Sequence, residues 1–361
     1  SSSGSAVSLA MGQVSFSLGT YTAGSGRVPA AFNNLVGLKP TKVWLSTSVV
    51  VPACLSLDSV SVFSLTADDA RRVLDVAGRF DTDDEYARPA PGSEPGFDAG
   101  SFRFGVPRDD QLEFFGNEEG RQLFYQSVEK LEALGGTRQV IDFEPFLESA
   151  RLLYEGPWVS ERYVAIESFI EEQAEAVFPV TREIIAGGAD PSAADVFRSQ
   201  YRLATLKRKT EPVWDEVDFI LTPTAACCYT IEEVEANPIQ LNSNLGYYTN
   251  FMNLLDFSAL AVPSGFQSDA LPFGVTLFAP AFADRALIKV GDRLHRSMVD
   301  TMGATDLPLP EPVPAGQLLP GWTRVAVCGA HMSDLPLNHQ LTERDAYLLE
   351  KTTTSEHYDF Y

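Results

Sequence analysis

Positive charge is scarce in this 361-residue chain: 27 Lys and Arg stand against 49 Asp and Glu, a formal net charge of -22. Binding to a phosphate backbone depends on a basic footprint, so the sequence points away from nucleic acid. Cysteine is scarce too. Cys54, Cys227, Cys228 and Cys328 are irregularly spaced and two are adjacent, which suggests neither a disulfide framework nor a zinc site. No metal or cofactor is expected, and the thiols suit a reducing, cytoplasmic setting. A membrane span needs about 20 apolar residues. The best run here, NFMNLLDFSALAVP, is broken by Asp256, Ser258 and Pro263, so no membrane association is expected. The start does not read as a secretory leader. It begins with Ser1, as though residues were missing upstream or a Gly/Ser linker had been attached. These absences leave a small molecule or a protein as the partner.

At 45% hydrophobic the chain can bury a large core. Thr66 caps a helix that carries Asp68 and Asp69 in its first turn and ends at Gly78. FRFGVP reads as a strand. A helix from the Asn117 cap to Gly135 follows, with Phe124, Val128 and Leu131 on one face, and then TRQVIDFEPF as a strand. This strand-helix-strand unit predicts an α/β fold, a largely parallel sheet covered by helices. A helical region follows from about 147 to 216, broken at Gly156-Pro157 and at GGADPS, where Asp190 and Pro191 open a new helix. VDFILTPTA and LPFGVTLFAP are further strands, and AFADRALIKVGDRLHRSM an amphipathic helix. Residues 1–307 form the main domain, 308–321 a proline-rich linker, and 322–361 the start of an incomplete second unit.

GTYTAGSGR sets Ser25 among small residues, where a tight turn can aim several backbone N–H groups at one spot and hold an oxyanion. Alone, AGSG is an ordinary glycine turn. It is no phosphate loop, for the lysine is missing, and no G-x-S-x-G elbow. The whole tract SSSGSAVSLAMGQVSFSLGTYTAGSGRVPAAFNNLVGLKPT, residues 1–41, closely resembles the amidase signature of Ser-Ser-Lys amide hydrolases. The resemblance implies the amidase-signature fold over 1–307, a large central mixed, mostly parallel sheet covered by helices on both sides, with Ser25 as nucleophile and Ser1, in a cis-peptide setting, as the bridging serine. It also implies an oxyanion hole from the N–H groups of Thr22, Ala23, Gly24 and Ser25, and support by hydrogen bonds from Ser2 and Arg27. A serine hydroxyl is a weak nucleophile, and a relay to a lysine with lowered pKa activates it.

LSTSVVVPACLSLDSVSVFSLTADDA, YEGPWVSERY, PIQLNSNLGYYTNFMNLLD, LPFGVTLFAPAF and GAHMSDLPLNHQLTER resemble the allophanate hydrolase family. That implies cleavage of allophanate, carboxylated urea, to ammonia and carbon dioxide in urea degradation. It also implies a homodimer and an association with urea carboxylase. Tyr154 and Arg162 match the pair that grips the substrate carboxylate, and their spacing of eight places them on one helical face. His331 and His339 open the segment resembling a C-terminal domain and are assigned no catalytic role.

The family's catalytic lysine precedes the signature. None of the chain's seven lysines stands there, Lys39 belonging to GLKPT, so a fragment or a degenerating copy without its base is expected. Tyr21 stands where the signature has aspartate, Leu55 where an arginine is usual and Ser59 where a cysteine is. Val43, Val49, Asp334 and Asp345 occupy usual glycine positions, and each is strained if that position needs a positive φ. Two other readings stand beside the first: an amidase or amidotransferase subunit of different specificity, and a non-catalytic binding protein on the same fold.

Overall fold

The computed structural model describes residues 2–91, 94–312, 323, 325–327, 329–333, 335–344 and 346. Among these, one sheet contains β1 (Ser17–Tyr21), β2 (Val36–Lys39), β3 (Ser59–Ser64), β4 (Phe102–Pro107), β5 (Gly136–Ile141), β6 (Phe219–Pro223), β7 (Phe257–Phe266) and β8 (Pro272–Pro280). Their spatial order is β1-β3-β2-β7-β8-β6-β4-β5. The helices are α1 (Ser3–Ala10), α2 (Val28–Ala31), α3 (Ala67–Ala77), α4 (Glu118–Ala133), α5 (Glu144–Glu155), α6 (Trp158–Glu172), α7 (Pro179–Ala186), α8 (Ala193–Thr210), α9 (Val213–Glu216), α10 (Ile231–Ala236), α11 (Pro238–Leu245), α12 (Asp284–Met298) and α13 (His339–Thr342).

The sheet is mixed, as expected, but it is not mostly parallel. β4 pairs in parallel with β5 and with β6, while the β1–β3, β2–β3, β2–β7, β6–β8 and β7–β8 pairs are antiparallel. The strand-helix-strand unit read from the sequence is parallel because α4 crosses over between β4 and β5. Only a turn separates β7 from β8, which makes that pair antiparallel, while the other antiparallel pairs join strands that are farther apart in the chain.

Local signals explain the helix ends. The Thr66 hydroxyl accepts from Asp69 N at 3.1 Å and the Asn117 side chain accepts from Gly120 N at 2.9 Å. α8 opens two residues later than Asp190-Pro191 suggest, because Ser192 and Asp195 form a reciprocal capping box.

Register assigns the helices to both faces. A Cβ on Gly37 would sit 2.7 Å from Ala30 Cβ, so α2 lies on the face of Gly37 and its partner Ala261. A Cβ on Gly291 would collide with Leu260, which points the other way, so α12 covers the opposite face. α3 and α4 pack beside α12. On the α2 face, Phe146 of α5 meets Phe257 and Phe278 with centroids 6.1 and 6.0 Å away. No described helix is long and apolar enough to cross a membrane. Residues 313–321 of the expected linker, and Asp334 and Asp345, lie outside the described residues.

Candidate active site

β1 ends at Tyr21, and residues 22–27 turn away from the sheet before α2 begins. Arg27 N and Val28 N both donate to Gly24 O, at 3.0 and 2.9 Å, which closes the turn. The backbone N–H groups of Thr22, Ala23, Gly24 and Ser25 donate to no acceptor among the described residues. Gly24 is required sterically: a Cβ there would lie 2.6 Å from Thr249 Oγ1. Ser25 is half-buried, and its hydroxyl donates to Thr20 O at 2.6 Å. The Ser2 hydroxyl donates to the same carbonyl at 3.3 Å, so the two side chains converge on one atom. A carbonyl is no base, so a nucleophilic role for Ser25 would require its Oγ to rotate away from Thr20 O. Ser1 lies outside the described residues, within which no peptide bond is cis.

Arg27 is fully buried beneath this turn. Its Nη2 donates to Tyr21 OH at 2.5 Å and Thr249 O at 3.2 Å, and its Nη1 to Thr276 Oγ1 at 3.4 Å. Nε has no partner among the described residues. The cation therefore rests on neutral acceptors, with its guanidinium carbon 5.5 Å from the Tyr21 ring centroid. Burial raises the Tyr21 pKa, against the pull of Arg27, and Tyr21 stays a neutral phenol. Arg27 thus supports the turn from below rather than touching Ser25.

Two further residues hold the turn. Asp58 Oδ1 accepts from Thr22 Oγ1 at 2.5 Å, and its Oδ2 accepts from Ala53 N and Cys54 N at 2.7 and 2.9 Å. Asn253 Nδ2 donates to Leu57 O at 2.6 Å and reaches Tyr21 O, Thr22 O and Ser59 Oγ at 3.4 to 3.5 Å. Sequence reasoning missed both. The signal for Asp58 was available: it is the one charged residue between Val43 and Leu65, and a lone carboxylate in an apolar stretch must find donors.

Tyr154 and Arg162 meet, but not on one helix. Gly156 and Pro157 end α5 and start α6, so Tyr154 closes the first helix and Arg162 lies in the first turns of the second. Arg162 Nη2 lies 3.3 Å from Tyr154 OH, and its guanidinium carbon 5.0 Å from the ring centroid. Tyr154 is 44% exposed, which leaves the pair open to a ligand. Buried Cys54, Leu57, Leu153 and Leu254 form an apolar cluster that touches both Ala23 and Trp158, tying this hairpin to the Ser25 turn. Tyr154 is also near enough to Tyr21 for their charges to interact.

The Cys54 thiol donates to Glu161 Oε2 at 2.9 Å, and burial, reinforced by that carboxylate, pushes its pKa far up. It is an inert thiol. Leu55 is 45% exposed and meets nothing that explains the exchange. Val43 does adopt a left-handed φ of 57°, whereas Val49 is not among the positive-φ residues. No cluster of His, Cys, Asp and Glu among the described residues could hold a metal ion. His331 pairs with Gln340 and His339 with Pro336 O, both within the 329–344 segment.

Residues 1–288 match the family model described as Amidase, and residues 323–361 the one described as Allophanate hydrolase C-terminal domain. The urea amidolyase of Saccharomyces cerevisiae is 40% identical over 373 residues, covering 100% of this chain and 20% of the yeast protein. A glutamyl-tRNA(Gln) amidotransferase subunit of Natronomonas pharaonis is 31% identical over 327 residues, covering 82% of this chain and 76% of that one. The solved structure of selenomethionine-substituted Kluyveromyces lactis allophanate hydrolase superposes with a TM-score of 0.83 at 39% identity, covering 94% of this chain and 57% of its own. The chain spans about a fifth of the length of the yeast relative.

Proposed function

Because this chain belongs to the amidase family, we propose that it is a serine amide hydrolase acting on allophanate in urea degradation. Ser25 Oγ attacks the terminal carbonyl, and its proton passes to Ser1 and on to the neutral lysine that the family's Ser-Ser-Lys set calls for. The N–H groups of Thr22, Ala23, Gly24 and Ser25 take up the charge on the tetrahedral oxygen. Collapse returns the proton to the leaving nitrogen, ammonia departs, and a carbamoyl ester remains on Ser25. Water then attacks the same carbonyl and regenerates the serine. The released dicarboxylate loses carbon dioxide. Arg162, with the Tyr154 hydroxyl, grips the substrate carboxylate.

The observation that carries this reading is the run of unpaired N–H groups beside the Ser25 hydroxyl. Backbone donors left free at a partly buried turn are costly unless something fills them. The names of relatives, urea amidolyase and allophanate hydrolase, support the choice of substrate. They also support an association with urea carboxylase. A homodimer, and a division into an amidase domain over 1–307, a linker over 308–321 and a C-terminal unit over 322–361, belong to the same proposal as what the resemblance implies.

The test is ammonia release from allophanate by the full-length protein, together with covalent labelling by a fluorophosphonate. Both are expected in the unsubstituted protein, and both should vanish in Ser25→Ala, a loss of at least about 10⁴-fold. Turnover of neutral amides alone would favour an amidotransferase-like or other amidase specificity. Tight binding of allophanate with neither labelling nor turnover would favour the binding protein.

A further inference from the structure

The segment between β2 and β3 touches the two halves of the site through opposite ends of one turn. At one end Asp58 accepts from Thr22 Oγ1, at the mouth of the Ser25 turn, while its second oxygen holds Ala53 N and Cys54 N. At the other end Glu161, the neighbour of Arg162 on α6, accepts from Ser56 N at 3.0 Å, Ser56 Oγ at 2.7 Å and Cys54 Sγ at 2.9 Å. Leu57 N and Asp58 N both return to Cys54 O at 2.8 Å, so the turn is closed on itself. Asp58 is 4% exposed and Cys54 is fully buried. Six donors shared by two carboxylates in so enclosed a place fix geometry, because neither acid can move without stranding a buried donor.

We propose that residues 53–58 form a strut whose carboxylate anchors, Asp58 and Glu161, hold the carboxylate-gripping helix at a set distance from the oxyanion turn. The inference rests on the hydrolase reading above. Asp58 and Glu161 are positioning residues, acting through Thr22 and through the seat of α6. Their common task is to keep the scissile carbonyl over the 22–25 amides once Arg162 has bound the far end of the substrate. A misplacement at that carbonyl lowers the chemical step, not the grip.

The experiment measures kcat and KM for allophanate in the full-length protein, with competent sites counted by fluorophosphonate titration so that a partly misfolded sample does not count as a slow one. Asp58→Asn should lower kcat by about 100-fold and Glu161→Gln by about 10-fold, each with KM within about threefold of the unsubstituted value. The double variant should be no slower than Asp58→Asn alone, as members of one unit are not additive. Arg162→Ala provides the contrast, raising KM. The strut is overturned if Glu161→Gln raises KM as Arg162→Ala does, if the two kcat losses multiply, or if Glu161→Gln is silent in an active enzyme. An unsubstituted protein without turnover or labelling would overturn the hydrolase reading and the strut with it, an outcome distinct from those three.

Discussion

The two faces of the sheet are built differently. On the side covered by α2 and α5, small residues such as Gly37 and Ala261 let backbone sink close to the strands, and charged side chains are buried there. Arg27 lies beneath the Ser25 turn, and Lys39 donates to Phe257 O at 2.5 Å. Burial drives the Lys39 amine down to about 7, against the pull of Asp256 and Asp284. On the other side Leu38, Val62, Leu260 and Leu277 form an apolar surface under α12. The lesson is a division of labour: one face supplies cohesion, and its surplus permits the other to carry buried polar groups that lower stability but position the proposed chemistry.

Asp75 and Asp284 are also buried on the α12 side, but they have partners; a buried imidazole there sharpens the contrast and has the largest expected effect. His295, one helical turn beyond Gly291, is 1% exposed and neither ring nitrogen has a hydrogen-bond partner among the described residues. Burial lowers its pKa to about 4, and neighbouring Arg296 adds to the shift. Between about pH 6.5 and 4 the unfolded chain binds a proton that the folded one refuses. Stability therefore falls with pH through that window, by about 3 kcal/mol in total, and is level above it. His295→Leu should remove this part of the acid limb in denaturant titrations run from pH 7 to pH 4. An unchanged limb would mean that the imidazole finds water or a partner.

On the polar face, Tyr21→Phe keeps the ring and deletes the phenol that accepts from Arg27. A buried guanidinium that loses one of its few acceptors should cost about 2 kcal/mol in chemical denaturation. A silent substitution would show that Thr249 O and Thr276 Oγ1 suffice for the cation.

How much of this was legible in the sequence depended on the range of the interactions involved. The caps at Thr66 and Asn117 and the α4 crossover are local, and the sequence reading matches them. Strand direction is not local: the antiparallel β2–β7 and β6–β8 pairs join segments far apart in the chain, and no residue pattern in either strand records its partner's direction. The Ser25 turn was legible through its resemblance to a signature, whereas its supports at Asn253 and Thr249 come from a distant tract and were not. Tyr154 and Arg162 were paired for an imperfect reason. Their spacing suggested one helix, yet they meet across the Gly156-Pro157 break, where a hairpin brings the two side chains together.

That hairpin is the exposed part of the proposed site, and a substitution in it should separate binding from stability. Arg162→Ala removes a half-buried guanidinium whose contact to Tyr154 is at the surface. Loss of a charge-assisted grip should raise KM for allophanate about 10-fold or more, near 1.5 kcal/mol, and leave KM for a neutral amide unchanged. The unfolding free energy should move by less than about 1 kcal/mol, in contrast with Tyr21→Phe. Equal losses on both substrates would remove the carboxylate from the argument.

The smallest expected change tests whether backbone strain is stored at Val43, in the loop that follows β2. Val43 is 5% exposed with φ at 57°, a conformation that costs a β-branched residue about 1 to 2 kcal/mol and glycine nothing. Val43→Gly thus combines relief of strain with loss of a buried side chain worth about 2 kcal/mol, and the two should nearly cancel. Val62 is equally buried, but it lies in β3 and is not a positive-φ residue. Val62→Gly has only the loss, with a cavity added, and should cost about 3 kcal/mol or more. The measured quantity is the difference between the two unfolding free energies. If both substitutions cost the same, the left-handed turn at Val43 carries no strain, and the exchange at that position is neutral for the fold.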